Sequence, residues 1–92
     1  MSTRVTPTIY STTWCGDCIR LKSALDRSGV TYREIDIEQD SSAADFVVRV
    51  NGGNRSVPTV VFDDGTVMTE PSARQVLDHL DRDRASTVTS PL

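Results

Sequence analysis

Two cysteines, Cys15 and Cys18, stand two residues apart, and the chain has no others. Two sulfurs alone rarely build a structural disulfide framework. Half a zinc site would need two further ligands, and the single histidine, His79, lies far downstream without metal-ligand spacing. Incidental core cysteines are the remaining plain alternative, and position argues against them. The pair opens a helix directly after the first strand of a β-α-β pattern, the context in which C-x-x-C reads as a redox motif. The chemistry to expect is reversible thiol–disulfide exchange.

The segment at 5–11, VTPTIYS, is β-branched and aromatic, with Pro7 tolerated near the start of a strand. The run that follows, CGDCIRLKSALDRSG, sets Cys18, Leu21 and Leu25 on one helical face, and Gly29 supplies its stop. Cys15 therefore sits where the first helical N–H groups are unpaired. Those groups and the helix dipole favour a negative charge, here a thiolate. Cys18, one turn further in, has lost most of that field. Cys15 is thus expected to attack and Cys18 to resolve. Gly16 adds no bulk around the attacking sulfur. Asp17 suits the dipole but opposes an anion on Cys15, so the stabilisation is moderate. Arg20 and Lys22 either offset Asp17 in part or are simply solvated. Trp14, just before Cys15, is expected to shield the thiolate or wall the substrate groove; packing at the strand end is the plainer alternative. His79 reads as a surface or edge histidine.

The remaining elements position that pair. VTYREIDIE alternates Tyr32, Glu34 and Asp36 against Arg33, Ile35 and Ile37, a strand with one buried side. Ser41 or Ser42 can cap a second helix carrying Ala43, Phe46, Val47 and Val50 on one face, ended by Gly52-Gly53. VPTVVFDDGTVMTE reads as strands 58–62 and 66–69 joined at Asp64-Gly65. Thr69 or Ser72 caps a third helix, with Pro71 near its first turn and Val76, Leu77 and Leu80 facing inward. From Arg84 to Leu92 the chain is Ser/Thr-rich and aperiodic, which reads as a disordered tail after a domain spanning 1–83. The order β-α-β-α-β-β-α demands a right-handed parallel crossover first and an antiparallel hairpin later. An α/β fold with a small mixed sheet flanked by helices satisfies both.

Composition narrows the partners. Ninety-two residues make one domain with room for only a shallow groove. Ten Lys and Arg against thirteen Asp and Glu give a net charge of −3, which offers no footprint for nucleic acid or an anionic membrane. No run of about 18 apolar residues occurs, so no membrane span is expected. Met1–Pro7 lacks an apolar signal core, which points to the cytoplasm.

The assembled pattern, from about Thr8 to Leu80, resembles the thioredoxin fold and, within it, the glutaredoxin group. The resemblance rests on T-I-Y-S-T-T-W-C-G-D-C, then R-L-K, then S-V-P-T-V. More narrowly, W-C-G-D-C-I-R-L-K, D-I-E, V-N-G-G-N-R-S-V-P-T-V and T-E-P-S-A look like the mycoredoxins, glutaredoxin-like proteins of actinobacteria that work with mycothiol. The resemblance implies a four-stranded mixed sheet, Cys15 as nucleophile and Cys18 as resolving partner. It also implies a cis-proline at Pro58 facing the pair, which the sequence alone gives no reason to propose. Val57 would offer its backbone N–H and C=O to a bound thiol compound. Trp14, Val57 and Pro58 are then the substrate-binding residues. No bound cofactor and no metal are implied, mycothiol is the co-substrate, S-mycothiolated proteins are the partners, and a monomer is expected.

Departures from the glutathione-using relatives are informative. Thr12 replaces their usual lysine three residues before the nucleophile. Met68-Thr69-Glu70-Pro71-Ser72 replaces their Gly-Gly and acidic residue, and Gly16-Asp17 replaces their proline-tyrosine. A cation is lost and Glu70 adds repulsion, which weakens the hold on glutathione's two carboxylates. Mycothiol, an acetylated cysteine on a neutral pseudo-disaccharide, loses little by it. The expected activity is therefore reduction of mycothiol–protein mixed disulfides, by a monothiol or a dithiol route. The rivals are a ribonucleotide-reductase redoxin fed by thioredoxin reductase, an iron–sulfur carrier with Cys15 of two chains holding the cluster, and a binding module with an incidental C-x-x-C.

Overall fold

The computed structural model describes residues 6–89, with side chains described for 6–81. The elements are β1 (Pro7–Ser11), α1 (Gly16–Arg27), β2 (Arg33–Asp36), α2 (Ser41–Val50), β3 (Thr59–Phe62), β4 (Val67–Thr69) and α3 (Ala73–Thr89). They build one four-stranded sheet in the order β2-β1-β3-β4. β1 pairs parallel with β2, Thr8 opposite Arg33, as the α1 crossover requires. β1 pairs antiparallel with β3, Ile9 opposite Val60, and β3 with β4, Val60 opposite Met68. The expected mixed α/β sheet, in the expected element order, is the one found.

Period-two alternation splits the core between the two faces. On one face Ile9, Val60 and Phe62 pack with Leu21 and Leu25 of α1 and Val76 of α3. On the other, Ile37 packs with Ala43 and Val47 of α2, with Tyr10, Ile35, Phe46 and Val57 partly buried against them. Truncating Ile9 or Leu25, both fully buried, to alanine costs about 2–5 kcal/mol. Both α1 and α2 end in Schellman closures. The Val30 N–H bonds to the Leu25 carbonyl and the Gly29 N–H to that of Asp26; Gly53 and Gly52 do the same on Val48 and Arg49. Gly29 (φ +73°) and Gly52 (φ +69°) supply the left-handed step that each closure needs.

Several boundaries differ from the sequence reading. Asp40, and not Ser41 or Ser42, caps α2: its carboxylate accepts the Ala43 N–H at 3.1 Å. A carboxylate at that position gains from the helix dipole as well as from the hydrogen bond, which a hydroxyl does not. Val50 shares the inward face by spacing yet is 36% exposed, because it is the last helical residue and no further turn shields it. Ser72, and not Thr69, starts α3 through a capping box: the Gln75 N–H donates to Ser72 Oγ and the Ser72 N–H to Gln75 Oε1. The expected tail from Arg84 is helical as far as Thr89, since no glycine or proline interrupts the run between Ala73 and Thr89. Residues 1–5 and 90–92 lie outside the described residues. Among the described residues, no helix is long and apolar enough to cross a membrane.

Candidate functional site

Cys15 is the N-cap of α1, in extended backbone conformation (φ −82°, ψ +113°), and its Sγ accepts the Cys18 N–H at 3.2 Å. The sulfur occupies the place where a capping serine or aspartate oxygen would sit. Strand β1 delivers the chain to this point, and the Ile19 N–H to Cys15 carbonyl bond (3.1 Å) starts the helical ladder. Cys15 is 7% exposed and Cys18 not at all, and both are free thiols. The upstream sulfur thus lies at the helix mouth, as its spacing predicts.

The two thiols differ in environment as well as in position. Burial pushes the Cys18 thiol up to about 12, and the hydrogen bond to Cys15 and the charge of Cys15 add to the rise. The Thr12 backbone and the Lys22 ammonium pull the other way without outweighing them. Cys18 is therefore held as a protonated thiol one turn behind Cys15.

The charges around the pair are sorted into local pairs. Asp17 is bonded to Arg20 one turn along α1, both on the surface. Arg20 thereby offsets Asp17 as one of the two sequence alternatives had it. Lys22 instead bonds to Glu34 of β2, which also accepts the Ser11 hydroxyl at 3.0 Å. The Lys22 hydrogen bond holds the Glu34 carboxyl below its usual range, against the opposing effect of burial, with Ser11 adding to the fall.

Val57 and Pro58 come to the cysteines from the start of β3. Their peptide bond is cis, the form the resemblance implies. The Cys15 thiol donates to the Val57 carbonyl at 3.8 Å, a long contact for a sulfur donor. Trp14 is 68% exposed, and its indole N–H donates to Glu38 Oε2 at 2.9 Å. It does not pack at the strand end; it stands beside the pair as an exposed aromatic face tied at one edge. Asp17, Arg20, Pro58, Glu70, Ser72 and Gln75 line an open groove of about 440 Å³. Glu70 there adopts φ +50°, rare for a residue with a side chain, and its N–H donates to the Pro58 carbonyl at 2.7 Å. Among the described residues its carboxylate is paired with no cation, and Arg20 is the one cation lining the groove.

Thr12 is buried, and its hydroxyl has no hydrogen-bond partner among the described residues. It brings no charge to the site. His79 lies away from the pair, over the Phe62 ring (centroids 4.3 Å apart) and against Asp64 at 2.9 Å, as an edge histidine does. Sequence reasoning missed Glu38 and Asn51. Glu38 holds Trp14 from 24 residues away, and Asn51 bonds to both Thr59 and Thr69. No local pattern announces either contact. Among the described residues, no cluster of three or more His, Cys, Asp or Glu could hold a metal ion.

Comparison with known proteins follows the same lines. The family model described as Glutaredoxin matches residues 8–68. A protein of Mycobacterium tuberculosis named as a glutaredoxin is 58% identical over 69 residues, covering 75% of this chain and 82% of that one. Mycoredoxin 1 of Corynebacterium glutamicum is 49% identical over 70 residues, covering 76% and 86%. Among solved structures, the thioredoxin-like protein BC3987 superposes with a TM-score of 0.65 at 28% identity, covering 82% of this chain and 99% of that one. The glutaredoxin of Archaeoglobus fulgidus gives 0.63 at 25%, covering 87% and 89%.

Proposed function

This chain belongs to the glutaredoxin family and is a thiol–disulfide oxidoreductase, and from that premise we propose that it reduces mixed disulfides between proteins and mycothiol. The observation that carries the choice of thiol is the groove beside the cysteines. Its one lining cation, Arg20, is already bonded to Asp17, and Glu70 adds a carboxylate that has no cationic partner among the described residues. A thiol compound bearing carboxylates meets net repulsion there, and a neutral, hydroxyl-rich one does not. The similarity to Mycoredoxin 1 supports the same reading.

The reaction runs through the helix-mouth sulfur. The Cys15 thiolate attacks the mycothiol sulfur of the mixed disulfide, and the protein thiolate departs and takes up a proton from water. Mycothiol is left disulfide-bonded to Cys15. A second mycothiol thiolate then attacks that mycothiol sulfur, yielding oxidised mycothiol and regenerating the Cys15 thiolate. The alternative second step is attack by Cys18 on Cys15 Sγ, which expels mycothiol and closes the Cys15–Cys18 disulfide. A thiol held at about 12 is ionised to about one part in 10⁵ at pH 7. Loss of the Cys15 charge relieves part of that rise, but burial, the largest cause, remains. The scarcity of Cys18 thiolate favours the monothiol route.

A donor panel tests both proposals. One peptide, disulfide-bonded to mycothiol or to glutathione, is offered with mycothiol, glutathione or NADPH-driven thioredoxin reductase as reductant. Turnover of the mycothiol conjugate with mycothiol is expected, retained in Cys18→Ser and absent in Cys15→Ser. Turnover with thioredoxin reductase alone overturns the mycothiol reading, and a dead Cys18→Ser overturns the monothiol route.

A further inference from the structure

The geometry points to Asn51 as a positioning residue for the backbone edge that receives the thiol compound, acting through the hydroxyl of Thr59. The inference rests on the reading that Val57 docks the thiol, but not on which thiol it is.

Asn51 is the C-cap of α2, on the segment Asn51-Gly52-Gly53 that turns the chain back toward the sheet. Its Nδ2–H donates to Thr59 Oγ1 at 3.0 Å, and its Oδ1 accepts the Thr69 hydroxyl. Thr59 is fully buried, and its own hydroxyl proton is donated to the Ser56 carbonyl at 2.8 Å. One amide therefore joins the end of α2, the start of β3 and the end of β4, and the relay finishes on the peptide just before Val57. On the other side of Val57, the Pro58 carbonyl is fixed by the Glu70 N–H at 2.7 Å. Both flanks of Val57 are held, and its own carbonyl is left to face Cys15.

The direction of the relay makes it sensitive. The single proton of Thr59 is committed to Ser56, so its oxygen can only accept from position 51. Asparagine supplies that donor. Aspartate, with the same shape, would present a second acceptor to a buried hydroxyl with no proton to spare, while still accepting from Thr69. The Thr59 hydroxyl would then turn toward the carboxylate, and the Ser56 carbonyl would lose its restraint.

Asn51→Asp is therefore expected to raise KM for a mixed-disulfide peptide about five- to tenfold with kcat within twofold. Carbamidomethylation of Cys15 uses a small reagent that docks on no backbone edge, and the thiol's contact to the Val57 carbonyl is long at 3.8 Å, so its rate is expected to stay within twofold of the parent. Thr59→Ser should behave as the parent and Thr59→Val as Asn51→Asp; this pair carries the test if Asn51→Asp does not fold. Thr69→Val, which cuts only the β4 arm, should leave KM unchanged. An unchanged KM in both Asn51→Asp and Thr59→Val, Cys15 alkylation falling in step with kcat/KM, or an equal rise in Thr69→Val overturns the assignment. Measured with mycothiol and glutathione conjugates side by side, the effect is expected on whichever is turned over. A failure here is thus distinct from a failure of the thiol assignment.

Discussion

Glu70→Lys reverses the one uncompensated charge on the groove without altering its backbone demand. Lysine, like glutamate, carries a β-carbon at φ +50°, so strain is matched between the two proteins. A glutathione carboxylate seated in the groove about 6 Å from position 70 interacts with a unit charge by about 0.7 kcal/mol in a water-like dielectric. Removing the repulsion, as in Glu70→Gln, is then worth about threefold in kcat/KM. Reversing it is worth about 1.4 kcal/mol, or about tenfold. A mycothiol conjugate has no such carboxylate and should change by less than twofold. The assay is reduction of the same peptide conjugated to each thiol, at low salt and at 1 M, where the screening length falls to about 3 Å and the gain should vanish. An equal gain on both conjugates, or a glutathione gain that survives 1 M salt, would refute charge selection at Glu70.

Other expectations follow from the same geometry. The folded Cys18 thiol lies above its ordinary value, so the unfolded chain releases that proton first as pH rises past about 9. The stability tied to its burial is full below that pH and is lost between there and about 12, and Cys18→Ala should flatten this fall in alkaline denaturation melts. Over the same logic, iodoacetamide at pH 8 should add one carbamidomethyl group per native chain, on Cys15, by peptide mass mapping; rapid double labelling would contradict the protonated, buried state of Cys18. Asp40→Ala should cost about 1 kcal/mol, read as a fall in Tm, because the Ala43 N–H loses its partner. Asp40→Ser should recover most of that loss.

What the sequence made legible was what depends on near neighbours. The C-x-x-C pair, the Leu21 and Leu25 face and the Asp64-Gly65 turn are each written within a few residues, and the structure has them where the spacing puts them. The α2 cap was harder because Asp40, Ser41 and Ser42 are all competent caps in a row. The choice among them depends on where the chain leaves β2, which is a tertiary fact. The same is true of the relay from Asn51, whose partners lie 8 and 18 residues on, and of Glu38, 24 residues beyond Trp14. Asp17 looked unfavourable beside an anion because its partner three residues along had to be seen to be counted. Local signals place the nucleophile; the walls of its groove are assembled from distant segments.

The C-x-x-C motif is, physically, a capping arrangement with sulfur in place of oxygen. In S-x-x-E the first residue accepts the N–H of the fourth, and Cys15 accepts the N–H of Cys18 in the same way. The bond that favours the attacking anion is therefore also the bond that starts α1, so modification of the sulfur should be felt by the fold. An alkylated Cys15 carries no charge and a poorer acceptor, and should lose about 0.5–2 kcal/mol of capping. For a domain of this size that corresponds to a Tm lower by about 4–8 °C per kcal/mol. Cys15→Ser, with a good capping oxygen, should melt at or above the reduced parent, and Cys15→Ala should match the alkylated protein. If alkylation leaves Tm unchanged while Cys15→Ala lowers it, bulk at the helix mouth has compensated. If neither lowers it, the sulfur contributes nothing to the cap, and the choice of Cys15 over Cys18 as nucleophile is left to the burial of Cys18 alone.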